Sequence, residues 1–448
     1  MTSFFTPLVY ASTIFAFGHT GSPADGAPAI HGVAPSAGGS GEIMRWPEEA
    51  SLVPPDVAPG DDFGRSVAVG PDRIVVGAPL AQIEEDPAQG AGYVYVRSPE
   101  SLWEQEGKLV ASDGGPNEWF AWSVAVDPEQ VIVGARLASA PELHRGAVYI
   151  FNRSGSVWAE SQKLTASDGA KQDRFGSAAS IAAERLLVGA SHADIDGNDA
   201  QGAVYVFERL GGEWSETQKL SAEDGGAADL FGRALAASGD TAVVGGEGAN
   251  GPGGPNQGAA WVFHEEAGVW SLEQKLTASD GQDPDSFGHA VSVSGDVAIV
   301  GAHQATVVGQ PRQGKAYVFR REGTVWTEEQ ILVASDGSSE DNFGIGVAIE
   351  GNTALVGAEF DFPGNPEQGV VYEFRYQDGV WTEIGKWPGS EGHLFDNFGQ
   401  AIALDRLRAV VGASSTVPGG RAYAYTRPPL FADGFESGDT SAWSVTVP

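Results

Sequence analysis

A unit of about 56 residues recurs seven times along the chain, and this repeat constrains the fold more than any other feature. Each copy contains a Phe, usually followed by Gly, and these Phe residues recur at intervals of 57, 55, 56, 56, 56 and 55 residues. In every copy a Trp stands seventeen residues before the Phe and a Gly fourteen residues after it. The seven repeated Phe residues are Phe63, Phe120, Phe175, Phe231, Phe287, Phe343 and Phe398.

Each copy contains four short apolar or alternating runs, such as FGHAVSV, DVAIVGA, KAYVFR and VWSLEQKL in the fifth copy. Runs of this length, separated by turn residues, predict β-strands. Seven copies of four antiparallel strands predict an all-β fold, a seven-bladed β-propeller with four-stranded blades. A linear solenoid is the alternative, but it needs distinct polar caps, and the end copies here resemble the middle ones.

The two ends of the repeat region predict how the ring closes. The seventh copy ends at Tyr425 without a fourth, Trp-bearing run, whereas an unpaired run with Trp46 precedes the first Phe-Gly. We therefore expect residues 46–53 to complete the seventh blade beside the strand around 420–425, which removes an exposed edge. The alternative is that residues 46–53 are a linker. The propeller is predicted to span residues 46–427.

Acidic residues occupy two fixed positions in the loops that precede each Phe. Because turns alternate sides in an antiparallel blade, these loops share a face with the loops of variable length between the second and third strands. Two residues before each Phe stand Asp61, Glu118, Asp173, Asp229, Asp285, Asp341 and Asp396. Seven residues before it stand Asp56, Asp113, Asp168, Asp224, Asp280, Asp336 and Glu391.

These carboxylates have two interpretations. Asp residues commonly accept hydrogen bonds from turn amides, which would make them structural. They would alternatively form a ring of oxygen ligands that collects calcium or the basic groups of a protein partner. The two interpretations are compatible.

The residues resemble the Phe-Gly/Gly-Ala-Pro repeat family, which builds the seven-bladed propeller of integrin alpha chains and of related bacterial extracellular proteins. The resemblance covers about residues 46–427, and Gly77-Ala78-Pro79 repeats the second half of the signature literally. It implies a binding platform, often extracellular, that recognises a protein or glycan. The calcium loop that many such repeats carry between strands one and two is absent here, because those links are only about four residues long.

One stretch in the third copy has alternating oxygen side chains, namely Asp194, Asp196 and Asn198. This spacing suits a cation such as calcium, although the later Glu of an EF-hand loop is missing. An ordinary Asp/Asn/Gly surface turn is the alternative interpretation.

Catalytic motifs are absent from the sequence: the eight His are scattered, and neither His-Glu-x-x-His nor Gly-x-Ser-x-Gly occurs. We expect no catalytic residues and no cofactor beyond a candidate calcium ion. Four residues that follow Gly-Ala-like pairs are candidates for the pore entrance, namely His192, Glu247, His303 and Glu359. A pocket that joins His and carboxylates from different copies would favour an enzyme.

The regularly placed Trp residues are predicted to pack between blades rather than to stack on sugars. Trp119 and Trp122 interrupt the Phe-Gly site of the second copy and have no counterpart in other copies, so sugar stacking stays open for them.

The net charge of −34 excludes nucleic acid as a natural partner, because phosphate binding needs Lys and Arg. The chain has no Cys, so it has neither a disulfide framework nor a thiolate nucleophile.

Residues 1–18 are apolar without a basic start, which fits either a signal peptide or a disordered leader, and 19–45 have linker composition. Residues 428–448 form an acidic tail that resembles short tails of secreted bacterial proteins. No membrane span is predicted.

We therefore expect a secreted or cell-surface, monomeric, non-catalytic scaffold that binds a protein or glycan through its acidic loop face. The alternatives are a carbohydrate-active or other hydrolytic enzyme with its site at the pore mouth, and a purely structural surface protein.

Overall fold

The computed structural model describes residues 46–98, 102–139, 143–182, 184–361 and 368–428. Within this part the chain forms 28 β-strands in seven four-stranded antiparallel sheets. The predicted leader (1–45) and almost all of the tail (428–448) lie outside the described residues. No described segment is a helix long and apolar enough to cross a bilayer.

The strand bounds repeat from blade to blade. The first strand, β1, comprises Glu48–Leu52. Blade 1 contains β2 (Ser66–Val69), β3 (Arg73–Ala78), β4 (Ala91–Arg97) and β5 (Trp103–Leu109). Blade 2 contains β6 (Phe120–Val126), β7 (Gln130–Ala135), β8 (Ala147–Ser154) and β9 (Val157–Leu164). Blade 3 contains β10 (Phe175–Ala182), β11 (Arg185–Ala190), β12 (Ala203–Leu210) and β13 (Glu213–Leu220).

The remaining blades follow the same order. Blade 4 contains β14 (Ala234–Ser238), β15 (Thr241–Gly246), β16 (Ala259–Glu266) and β17 (Val269–Leu276). Blade 5 contains β18 (Ala290–Ser294), β19 (Val297–Ala302), β20 (Lys315–Glu322) and β21 (Val325–Leu332). Blade 6 contains β22 (Phe343–Glu350), β23 (Thr353–Ala358), β24 (Val370–Gln377) and β25 (Val380–Trp387). Blade 7 combines β26 (Phe398–Leu404), β27 (Arg408–Ala413) and β28 (Arg421–Thr426) with β1.

The N-terminal strand closes the ring, as the sequence predicts. β1 pairs antiparallel with β28, so that Ser51 lies opposite Tyr423 and Leu52 opposite Ala422. Trp46 is buried against Trp387, with ring centroids 6.2 Å apart. Strand β28 therefore has a partner on each side instead of a free edge.

The core lies between neighbouring blades. The second strand of each blade is buried along nearly its whole length, as in β19 (VAIVGA), because strands flank it on both sides and blades cover both faces. In blades 1 to 6 the repeated Phe packs edge-on against two aromatic rings of the third strand. In blade 5, Phe287 meets Tyr317 at 5.3 Å and Phe319 at 6.0 Å between centroids.

The repeated Phe also joins each blade to the previous one. The amide of Phe343 donates to the carbonyl of Gln313, which precedes Gly314 of blade 5, at 2.8 Å. A Cβ atom on Gly314 would lie 2.0 Å from the Phe343 carbonyl oxygen, and its φ is +88°. Only Gly fits such a close approach with this backbone conformation. The same contact closes the ring between Phe63 and Gly419.

The repeated Trp packs between adjacent outer strands. The amide of Trp326 donates to Gln274 Oε1 at 2.8 Å, and Gln274 Nε2 donates to the Trp326 carbonyl at 2.7 Å. The indole NH of Trp326 donates to Glu273 at 2.9 Å. Gln–Trp pairs of the same kind join Gln162 to Trp214, Gln218 to Trp270 and Gln330 to Trp381. These Trp residues thus contribute to inter-blade packing.

Candidate functional site

The loops between second and third strands and those that lead into each first strand lie on one side of the ring, here called the mouth face. In blades 1 and 2 these loops are residues 79–90 and 110–119. The hairpins that join first to second and third to fourth strands lie on the other side, here called the hairpin face. The first strands of the blades line the central channel between the two faces.

The carboxylates two residues before each Phe are bound inside turns. Each accepts a hydrogen bond from the amide three residues earlier, as Asp285 does from Gln282 at 2.8 Å. Six of the seven residues are buried, and Glu118 is half-buried. Burial raises the pKa of the six Asp residues. The other amide donors are Ala58, Gly115, Ala170, Gly226, Ser338 and His393.

The second set of carboxylates is paired with basic residues. Asp280 accepts from Lys315 at 2.7 Å and from the hydroxyl of Tyr317 at 2.8 Å. Burial opposes the ionisation of Asp280, but these two contacts outweigh it and lower its pKa. The equivalent pairs are Asp56–Lys108, Asp113–Lys163, Asp168–Lys219, Asp224–Lys275, Asp336–Lys386 and Glu391–Arg421.

Both sets of carboxylates therefore hold the loops of the mouth face in place. A partner does not reach the buried Asp side chains in this conformation, and the second set already has cationic partners. The carboxylates of the second set are nevertheless about half exposed, as Asp168 is.

The stretch around Asp194, Asp196 and Asn198 forms a tight turn in the loop between β11 and β12. Asp194 Oδ1 accepts from the Ala200 amide at 2.8 Å, and the Asn198 side-chain amide donates to Gln201 at 2.8 Å. Nowhere in the described part of the chain do three or more His, Cys, Asp or Glu side chains form a group that would hold a metal. Calcium binding at this turn stays a prediction.

Two positions per copy supply the side chains at the channel mouth. One follows each Gly-Ala-like pair: Pro79, Arg136, Ser191, Glu247, His303, Glu359 and Ser414. The other lies two residues after each Phe: Arg65, Trp122, Ser177, Arg233, His289, Ile345 and Gln400. The residues that lie two places after each Phe, apart from Arg233, line a channel cavity of about 270 Å³. A second cavity, of about 370 Å³, continues from it along the first strands.

Blades 4 to 6 contribute a histidine–glutamate cluster, made of Glu247, His289, His303 and Glu359. His289 Nδ1 lies 2.5 Å from Glu247 Oε2, and the two imidazole rings are 4.2 Å apart between centroids. Arg233 also forms an ion pair with Glu247. Glu359 accepts a hydrogen bond from Asn342 at 3.1 Å.

Charge neighbours and burial shift the pKa values of this cluster. Burial opposes the ionisation of Glu247, but the contact with His289 and the charge of Arg233 outweigh it and lower its pKa to about 2. Burial and the neighbouring His289 lower the pKa of His303 to about 3. Burial raises the pKa of Glu359. At neutral pH the cluster therefore holds an ionised Glu247 beside a neutral His303.

Blades 1 to 4 contribute a guanidinium cluster, made of Arg65, Arg136, Arg174 and Arg233. Arg136 is only 8% exposed, and its guanidinium lies over the ring of Trp122 at 3.3 Å and over that of Trp119 at 4.8 Å. These two indoles stack on each other, with centroids 5.4 Å apart. Arg65 lies over Trp122 as well, at 4.4 Å.

Two members of the guanidinium cluster have carboxylate partners and two do not. Arg65 lies 3.9 Å from Asp62, and Arg233 pairs with Glu247. Among the described residues, neither Arg136 nor Arg174 has an ion pair, and the Nε atom of each is buried without a hydrogen-bond partner. Burial and the positive charges of the other three Arg residues lower the pKa of Arg136.

Comparison with known proteins identifies the repeat. An FG-GAP repeat is matched at residues 46–96, 103–151, 158–207, 214–263, 270–319 and 326–374, which together cover more than half of the chain. This chain belongs to the FG-GAP repeat family. Its propeller is of the kind that serves as an interaction scaffold. None of the curated proteins matches the chain.

The seventh FG-GAP unit is not among the matched segments, although the structure contains its blade. Its loop between the second and third strands is shorter than the others, with eight residues from Gly412 to Gly420 against twelve or thirteen elsewhere. The spacing of Phe398 and Gly412 nevertheless keeps the seventh copy in register.

The structure brings together three of the pore-entrance candidates from different FG-GAP units, namely Glu247, His303 and Glu359. The fourth candidate, His192, lies instead beside the guanidinium cluster. Burial and the charges of Arg174 and Arg136 lower the pKa of His192 to about 4, and its Nδ1 atom lies 3.0 Å from Ser191 Oγ.

Sequence reasoning did not single out the guanidinium cluster or His289. The usable signal was the position two residues after each Phe, where Arg65, Arg233 and His289 replace smaller or neutral residues. A second signal was Arg136, at the place where the FG-GAP signature has Pro. Neither position reveals its neighbours until the ring is closed.

Proposed function

We propose that this FG-GAP propeller is a non-catalytic binding scaffold that recognises a protein or glycan ligand on its mouth face. The observation that carries the proposal is the convergence at the channel mouth of charged and aromatic side chains from six blades. Binding residues commonly lie on loops that a rigid scaffold positions. The carboxylates of the same loops provide that rigidity, because the buried ones hold their own turns and the paired ones tie each loop to a strand.

The placement of Trp119 and Trp122 supports recognition on this face. Both are half-buried and belong to one blade only, so the repeated architecture does not require them. Large half-exposed indoles are typical of binding surfaces, where they offer apolar area and one polar group.

A ligand screen tests the proposed function. The full chain is applied to arrays of immobilised peptides and glycans, and every hit is repeated with Trp119→Ala. Leu407→Ala serves as the matched control, because Leu407 is 57% exposed and lies in a hairpin on the hairpin face. We expect hits to lose at least about tenfold in affinity with Trp119→Ala and to be unchanged with Leu407→Ala. Hits that Trp119→Ala leaves unchanged would contradict a mouth-face platform.

A hydrolytic enzyme is the second candidate, because His and carboxylate side chains from blades 4 to 6 do meet at the mouth. Acid–base catalysis works best with a group whose pKa lies near the working pH. The pKa values of Glu247 and His303 are shifted away from neutrality, whereas burial raises the pKa of Glu359 toward it.

Turnover assays distinguish the two candidates. The full chain is incubated with chromogenic glycosides and esters, beside Glu247→Gln and Glu359→Gln. The binding scaffold predicts no turnover above the buffer rate by any of the three proteins. Turnover by the natural chain that either substitution abolishes would establish the enzyme.

We also propose that the protein acts outside the cell or at its surface, a proposal supported by the apolar segment 1–18 and by the resemblance of the tail. Cell fractionation of a producing strain tests it, with a variant that lacks residues 1–18 as the control. Equal amounts of both proteins inside the cell would contradict export through this segment.

A further inference from the structure

We propose that the guanidinium cluster binds a single carboxylate group, presented by an acidic side chain of a peptide segment in a partner protein. Arg136 and Arg174 are the anion-binding residues, and Trp119 and Trp122 hold Arg136 in place. This inference rests on the proposed mouth-face binding and names the chemistry of its ligand.

The guanidinium cluster carries an uncompensated positive charge. Arg136 is 8% exposed, and within the described residues its guanidinium contacts two indoles but no carboxylate. A guanidinium keeps its proton in proteins, so this charge stays in the mouth whether or not a ligand is present. A buried charge without a counterion is costly, and an anion that fits beside it stabilises the protein.

The placement of the guanidinium groups also suits a carboxylate. The Arg136 guanidinium carbon lies 3.3 Å from the centroid of the Trp122 ring, and this contact restricts where the planar set of N–H groups can lie. Buried Nε atoms without a hydrogen-bond partner occur in Arg136 and Arg174, whereas the Nε atom of Arg233 pairs with Glu247. Arg N–H groups form paired hydrogen bonds with carboxylates, which makes a carboxylate a matching ligand.

The occupied face of Trp122 favours a peptide over a sugar as the ligand. The ring of Trp122 already carries two guanidiniums, Arg136 at 3.3 Å and Arg65 at 4.4 Å, which leaves less of the indole for a sugar ring.

The charge of the whole chain limits the ligand further. At a net charge of −34, a polyanion is repelled before it reaches the mouth. A single carboxylate flanked by basic residues suits both the positive guanidinium cluster and the negative net charge of the chain.

Calorimetry on the full chain tests the proposal. The probe is the peptide acetyl-Lys-Gly-Glu-Gly-Lys-amide, and its control carries Gln in place of Glu. We expect the Glu peptide to bind and the Gln peptide to bind at least about tenfold more weakly, because the carboxylate contacts are lost. Arg136→Gln and Arg174→Gln are each expected to weaken the Glu peptide by about tenfold or more.

Arg406→Gln is the matched control, because it removes the same charge at a residue on the hairpin face whose side chain is 90% exposed. It is expected to bind the Glu peptide as the natural chain does. Melting curves without peptide show which variants are folded. If the Arg136→Gln variant does not fold, the Arg174→Gln variant is used to test the proposal.

Four results would overturn the proposal. They are no heat with the Glu peptide at millimolar concentration, equal affinity for the Gln peptide, unchanged binding by folded variants of both Arg136 and Arg174, and acetate affinity equal to that of the peptide. Array ligands that depend on Trp119 but on neither Arg would overturn this inference and leave the scaffold standing. Ligands that depend on none of the three would overturn both.

Discussion

The carboxyl group of Asp341 is buried in the turn that precedes β22. It is 1% exposed; its Oδ2 accepts from the Ser338 amide, and its Oδ1 has no hydrogen-bond partner. Burial, together with the negative charges of Asp361 and Asp336, raises the pKa of Asp341 to about 6. The folded state therefore binds the proton more tightly than the unfolded state does. The stability that this group contributes is fully present below about pH 4 and is lost as the pH rises through about 6.

Substituting Asp341→Asn removes this titration. We expect the variant to gain stability relative to the natural chain as the pH rises from about 4 to about 7, by up to about 2 kcal/mol. Asp336→Asn is the control of opposite sign: the pKa of Asp336 is lowered, because Lys386 and Tyr372 outweigh the burial that opposes its ionisation. The Asp336→Asn variant should be less stable than the natural chain at neutral pH, and this difference in stability should shrink in acid. Urea unfolding at several pH values measures both differences, and a pH-independent difference for Asp341→Asn would contradict the assignment.

Gln274 joins two blades through the backbone of one residue, Trp326. The Gln274→Ala variant leaves the amide and the carbonyl of Trp326 without these partners. We expect a loss of about 1–3 kcal/mol in the free energy of unfolding. Gln282→Ala is the matched control: Gln282 is exposed, and it should cost less than about 0.5 kcal/mol. Equal losses in the two variants would show that the inter-blade hydrogen bonds contribute no stability.

At the scale of elements, β1 differs from every other fourth strand. In blades 2 to 6 the fourth strand follows the third through a two-residue hairpin, and in blade 1 it also comes next in the chain, whereas β1 reaches β28 from the other end of the chain. No covalent connection within the blade holds β1, so its pairing and the burial of Trp46 and Leu52 must do so.

Deleting residues 1–53 removes this strand and exposes the edge of β28. We expect the melting temperature to fall by at least about 10 °C and the protein to self-associate, because an unpaired edge strand is a template for another chain. Deleting residues 429–448 is the control and should change neither property. Differential scanning calorimetry and light scattering measure both effects. Normal melting after removal of 1–53 would show that β1 is dispensable for closure.

At the scale of the whole molecule, the net charge of −34 opposes compaction. Salt screens this repulsion, so we expect sodium chloride to raise the melting temperature. Calcium chloride at equal ionic strength tests the turn at residues 194–198. If the turn binds calcium, the melting temperature rises further and calorimetry records heat, and Asp196→Asn removes both. Identical curves for the two salts, without heat, would remove the calcium prediction.

The repeat architecture was predictable because each copy encodes it locally. Phe287, Gly301 and Gly314 each satisfy a contact that recurs in every blade, so their spacing reports the fold directly. The closing role of β1 followed from the same register, since a Trp-bearing run was missing at one end and left over at the other.

Whether a loop carboxylate faces solvent or a turn amide was decided by the packing of neighbouring loops. The repeat positions left both a turn role and a binding role open for these carboxylates, and the structure shows Asp61 and its equivalents bound in turns and the second set paired with Lys or Arg. The sequence shows where the charged residues stand along the chain but not which groups they pair with in the folded protein.

The sequence alone determined the number of blades, the order of their strands and the closing strand, because these depend on periodic contacts within and between adjacent copies. Only the tertiary structure decided the chemistry of the mouth. Arg65, Arg136, Arg174 and Arg233 belong to four different copies, and Glu247 and His289 to two. These side chains become neighbours only when the ring closes around the channel, and no local pattern encodes which of them then lacks a counterion.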